Sequence, residues 1–306
     1  MQNTLFQPMR KRLLFLTVVL SVLFFTLNFL PYNINEYNGK VAINEKFDSS
    51  LVRLNSLNKL EQYTDSLALA KHIAIGTMDY ALIANEVISQ RFYHKYAAQN
   101  LNENWIASLA QRITGLYLSS KITADDILTR PYGYCGQINT VLMELLERKK
   151  LNCRVVYLPH HFVIESYING RWNYFDADMK PNILPQKRSD ENFLKNKDSL
   201  AYAYNTDIAS IEFTFGNPVT FKYGKVNETQ GRNAQIFQAI TKVLSKIAFL
   251  FPILLCYVYL RKKSIATNNT QQTATYQHNH LYGNERTGSR TQRHQSWPRF
   301  PRFFNG

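Results

Sequence analysis

Two apolar runs without charge lie near the ends of this chain, each closed on its outer side by Lys and Arg, and they constrain it more than any other feature. The first, residues 13–30, follows Arg10, Lys11 and Arg12. As a helix rising ~1.5 Å per residue it reaches roughly 27 Å, close to the thickness of a hydrocarbon core. The second covers residues 247–260, extends back to 243 if Lys246 snorkels, and ends at Arg261, Lys262 and Lys263. Pro252 within it is compatible with a bilayer helix.

The charge is placed accordingly. Of 36 Lys+Arg against 22 Asp+Glu, a net +14, the three cations at 10–12 and the net +7 beyond residue 260 account for ten charges. Basic residues beside a span favour the cytoplasmic side. Residues 13–30 and 243–260 are therefore expected to be transmembrane helices of the inner (plasma) membrane. Both termini are then cytoplasmic and residues 31–240 extracytoplasmic, which in a bacterium means the periplasm. The competing readings are a cleaved signal peptide and a buried core helix. No small-x-small site precedes Pro31, which favours an uncleaved anchor. Lipid is an expected partner. Nucleic acid is not, because the charge sits at the tips and not on one face.

Composition narrows the remainder. With 45% hydrophobic residues the chain is not wholly disordered. A mean hydropathy of −0.30 excludes a polytopic transporter. Three cysteines are too few to build a disulfide scaffold. A disulfide between Cys135 and Cys153 competes with a reading of Cys153 as core, and Cys256 reads as packing within the second run.

Residues 31–58 read as a polar linker. Apolar spacing of three and four predicts helix over 60–100 and again over 105–118, and Thr123 caps a short helix. After Pro131 the pattern sharpens. Ile138, Val141, Leu142, Leu145 and Leu146 form one apolar helix face, closed by Arg148, Lys149 and Lys150. Short β-rich runs follow at 155–158, 162–168 and 171–175, the last two joined by Asn169-Gly170, a strong hairpin signal. Another strand is expected at 211–215. Beyond residue 263 the chain reads as a polar, disordered tail, and His278 and His280 read as part of it.

Cys135 stands at the head of the helix carrying that apolar face. Free N–H groups and the positive helix pole favour a thiolate there, and Gly133 and Gly136 allow close backbone approach. The hairpin supplies partners. His161 opens one strand and faces opposite to His160, while Asp176 and Asp178 close the other. A two-residue turn pairs 168 with 171, so His161 falls opposite Asp178 with Asp176 as diagonal neighbour, and both acids are in reach. A base oriented by a carboxylate and aimed at a thiol is the requirement for nucleophilic catalysis.

The order Tyr132-Gly133-Tyr134-Cys135-Gly136, a helix, a strand, His161-Phe162-Val163-Ile164-Glu165, then Asn169-Gly170-Arg171-Trp172 leading to Asp176, resembles the transglutaminase-like superfamily of papain-like cysteine enzymes. The likeness covers residues 105–180. It implies an α+β fold with a nucleophile helix packed on a small antiparallel sheet, set between the two anchors. It assigns nucleophile, base and orienting acid to Cys135, His161 and Asp176, with Asp178 the alternative acid. Tyr134, Gly136 and Gln137 are cleft candidates. No cofactor or metal is implied. The chain departs from the family's pattern after the histidine, where Phe162 and Val163 follow. Trp172 reads as core before substrate platform.

The expected activity is attack on an amide or ester through a Cys thioester, released to water (protease or amidase) or to an amine. The substrate would be a peptide, a protein or an amine-bearing envelope polymer. The alternative is the same fold kept as an inactive binding or assembly module of the cell envelope.

Overall fold

The computed structural model describes residues 6–35, 46–228 and 231–262. Helices come first: α1 (Phe6–Leu27), α2 (Leu57–Ala70) and α3 (Met78–Arg91), then strand β1 (Tyr93–His94), α4 (Leu101–Thr114), α5 (Ala124–Leu128), strand β2 (Tyr132–Gly133) and α6 (Cys135–Arg148). Strands β3 (Asn152–Tyr157), β4 (Phe162–Ile168) and β5 (Arg171–Phe175) follow. Then come α7 (Glu191–Lys195), α8 (Lys197–Tyr204), α9 (Ile208–Phe215), strand β6 (Lys222–Tyr223) and α10 (Arg232–Ile247). A further helical stretch runs over Leu250–Lys262. The chain is α+β.

The four-stranded sheet has the order β5-β4-β3-β6 with every pairing antiparallel. Val155 and Val156 are neighbours in sequence yet belong to different cores, because successive side chains on a strand point to opposite faces. Ile164 and Phe175 face the first core, Val163 and Tyr174 the second. The first core is filled by α2, α3, α5 and the apolar face of α6. The second is filled from α7, α8 and α9. The sheet is therefore covered on both faces, and its β4–β5 hairpin turns at Asn169 and Gly170, both at positive φ. The register pairs Ile168 with Arg171 and Ile164 with Phe175, as the two-residue turn demands.

Three elements differ from the sequence reading. Residues 211–215 are helix: Asp207 caps α9 through the Ser210 N–H, and Ile211 and Phe215, one turn apart, both enter the second core. Tertiary packing thus overrides a β-rich local composition. The helical region 60–100 is two helices capped by Ser56 and Thr77, broken around Gly76 at φ +84° and left at Arg91. Within the stretch read as a linker, Leu51 and Leu54 are buried in the first core. The polar tail, with His278 and His280, lies outside the described residues.

Contacts divide the chain into Val22–Phe249, which contains both cores, and a second unit of Met1–Ser21 with Leu250–Gly306. Helix α1 takes in Arg10, Lys11 and Arg12 and ends at Leu27. The second apolar run is interrupted, with helix on either side of residues 248–249. Among the described residues no single helix is long and apolar enough to cross a membrane. A bent pair, Arg232–Ile247 with Leu250–Lys262, meets the requirement together by length and composition.

Helix α6 spans the first core, and Leu142 on it has no solvent exposure. Leu142→Ala should destabilise the domain by about 2–5 kcal/mol. Denaturant unfolding reads this, and a change below ~0.5 kcal/mol would contradict the packing described.

Candidate active site

Cys135 is the first residue of α6, and three features fix it there. Strand β2 delivers the chain from a parallel pairing with β1, which sets Gly133 beside His94. A side chain at Gly133 would press on Ile138, with a Cβ only 3.0 Å from Cγ1. Gln137 braces the loop from beneath. Its Oε1 accepts the Tyr134 N–H at 3.2 Å and the Ala97 N–H at 2.9 Å, and its Nε2 donates to the carbonyls of Ala97 and Lys121.

His161 sits just before β4 in a turn closed by the Leu158 N–H donating to its carbonyl at 3.0 Å. The ring is buried, whereas His160 is exposed and stacks on Phe213. His161 Nε2 donates to Asp176 Oδ2 at 2.7 Å, and the imidazole also hydrogen-bonds the Cys135 thiol. With Nε2 engaged by Asp176, Nδ1 is the nitrogen left for sulfur.

Asp176 has no exposure and follows the last residue of β5. Its Oδ2 also accepts the Tyr204 hydroxyl at 2.9 Å. Its Oδ1 accepts the N–H groups of Asp178 and Met179 at 3.0 and 3.1 Å, and Asn139 Nδ2 at 3.4 Å. Asn139, one turn after Cys135, also donates to the Phe162 carbonyl and accepts the Ala177 N–H. Tyr174 and Tyr204 share a hydroxyl–hydroxyl bond.

This wrapping separates the two aspartates. The strand pairing stops at Phe175 and the chain turns over the Asp176 carboxylate, so Asp178 does not extend the hairpin to face His161. Its carboxylate instead takes both of its oxygens to His94 Nδ1, at 2.8 and 3.1 Å. The site thus holds two His–Asp pairs, His161–Asp176 and His94–Asp178. Donor atoms of Cys135, His161 and Asp178 all lie within 4.8 Å of one another. These three offer one ligand atom each to an ion. Zinc bonds of about 2.0–2.3 Å would need so wide a set to contract, and would occupy the thiol.

A cleft of about 1060 Å³ opens here, lined by Cys135, His161, Asp178, His94, Tyr134 and Arg188 among others. Gly136 and Gln137, the other cleft candidates, line a separate cavity of about 150 Å³ with Tyr134 and Ser120. Gln137 faces inward because its amide is consumed by backbone groups. Trp172 is half-buried against Tyr167 and under the Arg154 guanidinium. Cys153 is buried with its thiol pushed up to about 12 by burial, and all three cysteines are free.

Burial opposes a charged imidazole at His161, but the Asp176 carboxylate outweighs it and holds the ring's pKa well above the ordinary range. Burial likewise opposes the Asp176 anion, and His161 with the surrounding donors carries its pKa below the usual carboxylate value. Burial, followed by the neighbouring Asp176, raises Tyr204 and Tyr174 far enough that both hydroxyls keep their protons at neutral pH.

His94, Asn139 and Tyr204 were not apparent as site residues in the sequence. Asn139 carries a signal, being a polar residue one turn from the cysteine on an otherwise apolar helix. His94 and Tyr204 arrive through long-range contacts and carry none. No protein-family model matches the chain, and neither characterised proteins nor solved structures include a match.

Folding raises His161, so its contribution to stability is complete below the ordinary imidazole value of 6.5 and is lost as pH climbs through the folded value. Folding lowers Asp176, so its contribution is complete above 3.8 and is lost as pH falls through its folded value. The stability lost in Asp176→Asn should therefore be greatest between about pH 4 and 6.5. The same variant should bring the His161 titration, followed by NMR, down toward the ordinary range. An unmoved titration would contradict the coupling.

Proposed function

We propose that the protein is a membrane-anchored thiol enzyme with a transglutaminase-like core, acting on an amide or ester through a Cys135 thioester. One observation carries this reading: a thiol at a helix N-terminus is bonded to a buried imidazole whose far nitrogen is clamped by an unexposed carboxylate, beside a cleft wide enough for a polymer segment.

In this reading Cys135 Sγ attacks the acyl carbon while His161 Nδ1 takes the thiol proton. The tetrahedral oxyanion points at the Cys135 N–H, which α6 leaves without an intrahelical partner. Collapse expels the amine or alcohol, which receives the proton from His161. Asp176 does not titrate in the cycle; it fixes the ring's tautomer and balances its charge. Water or an amine then attacks the thioester with His161 acting again as base. Location makes envelope peptide, protein or an amine-bearing polymer the candidate substrate.

The membrane part rests on the two apolar runs and their flanking cations. Residues 31–240 are then extracytoplasmic and both termini cytoplasmic. Protease added to intact spheroplasts should cleave the domain and spare the termini, and cleavage of the termini alone would reverse the topology. For the chemistry, an electrophilic peptide amide reactive toward thiols should label the native protein. Cys135→Ala should lose at least about 100-fold in labelling rate while keeping its circular dichroism. Equal labelling of the variant would remove Cys135 as nucleophile.

A further inference from the structure

Helix α10 presents its two faces the wrong way round for a water-soluble domain. Gln238, Thr241, Ser245 and Ala248, spaced by three and four, are its buried positions. The stripe Ile236, Ile240, Val243 and Ile247 is open, at 52, 55, 61 and 43% exposure. A helix packed on a soluble core places these classes in reverse.

The inward polar groups are bonded to the domain. Gln238 Nε2 donates to the carbonyls of Leu118 and Ser120, and its Oε1 accepts from Gln99. Asn104, at a kink in α4, donates to Thr241 Oγ1 at 2.8 Å and accepts from Ser245 Oγ at 3.1 Å. The two lysines of α10 are tied back as well, Lys242 to Asp126 and Lys246 to the Asn102 carbonyl. Polar groups satisfied against protein, with aliphatic groups outward, is the arrangement a helix adopts beside hydrocarbon.

Lipid is also indicated by what adjoins this face. The residues following α10, Leu250, Phe251, Ile253, Leu254 and Leu255, are exposed and apolar up to Arg261 and Lys262. The end of α1 meets the same helix pair: Phe24 stacks on Trp105 at 5.3 Å, and Phe25 meets Phe249 edge-on at 5.5 Å. Trp105 in turn donates its indole N–H to the Ser245 carbonyl. Both apolar runs thus reach the domain where α10 ends, and an indole with a satisfied N–H marks the place, as at membrane boundaries.

We infer that the outward stripe of α10 lies in the acyl region of the bilayer, so that the domain is seated on the membrane through α10 and not merely tethered to it. This rests on the membrane-anchored reading above and is independent of the thiol chemistry.

The test uses the full chain carrying Cys135→Ser and Cys256→Ala, with buried Cys153 retained. It is reconstituted in vesicles of phosphatidylethanolamine and phosphatidylglycerol. Nitroxide labels are placed singly at Ile236→Cys, Ile240→Cys and Val243→Cys, and at Ala209→Cys on exposed α9 as the aqueous reference. Power saturation compares collisions with oxygen, which concentrates in lipid, and with a water-soluble nickel chelate. The three α10 labels should show an oxygen-to-nickel ratio several-fold above that at Ala209. A ratio equal to the reference, in protein that floats with the vesicles, overturns the inference while leaving the anchors in place. Low collision with both reagents also overturns it and shows a protein surface covering the stripe. Protein that does not float with the vesicles overturns the anchored reading and this inference together. Three separate labels keep the result readable if one variant fails to fold.

Discussion

Asp176 is an anion with no contact with solvent, and the molecule is arranged to make that possible. Its partners come from distant stretches of sequence: His161 from the turn before β4, Asn139 from α6, Tyr204 from α8, and the N–H groups of Asp178 and Met179 from the turn after β5. Removing one partner of a buried charge pair costs about 3–5 kcal/mol, because the survivor is left uncompensated. The clamp therefore joins the helix layer on one face of the sheet to the layer on the other. The same bonds fix the His161 ring and leave its second nitrogen for Cys135. Stability and site geometry rest on one set of contacts.

The second pair, His94–Asp178, gives the site its electrostatic character. A carboxylate within 4.8 Å of the sulfur works against ionisation of the thiol, whereas the His161 imidazolium favours it. His94 meets the Asp178 charge from the opposite side and is half open to solvent. The cleft therefore places a shielded negative group and an accessible imidazole beside the nucleophile, an arrangement in which an incoming or departing nitrogen finds a hydrogen-bond partner on either side.

Much of this was legible in the sequence where local rules decide. The apolar spacing from Ile138 to Leu146 located α6 and put Cys135 at its head. Asn169-Gly170 fixed the hairpin register to the residue, and parity separated His161 from His160. Local rules failed where the answer is tertiary. An ideal hairpin continues to Asp178, but the strand ends at Phe175 because Asp176 gathers the next two N–H groups onto its own carboxylate. Residues 211–215 have strand-like composition and form helix, since Asp207 caps them and the second core takes residues one turn apart. His94 reaches the site only through the β1–β2 pairing, which two residues of sequence do not announce. The polar, inward face of α10 is likewise intelligible only beside Asn104 and Gln99.

The central claim is that Cys135 becomes a nucleophile because His161, held by Asp176, removes its proton. The most direct measurement is the rate at which p-nitrophenyl acetate acylates the protein, with the modified residue located by mass spectrometry. The account predicts a single acetyl thioester on Cys135, formed at least about 100-fold faster than in His161→Ala. Acylation at equal rates in both proteins, or on residues away from the cleft, would contradict it.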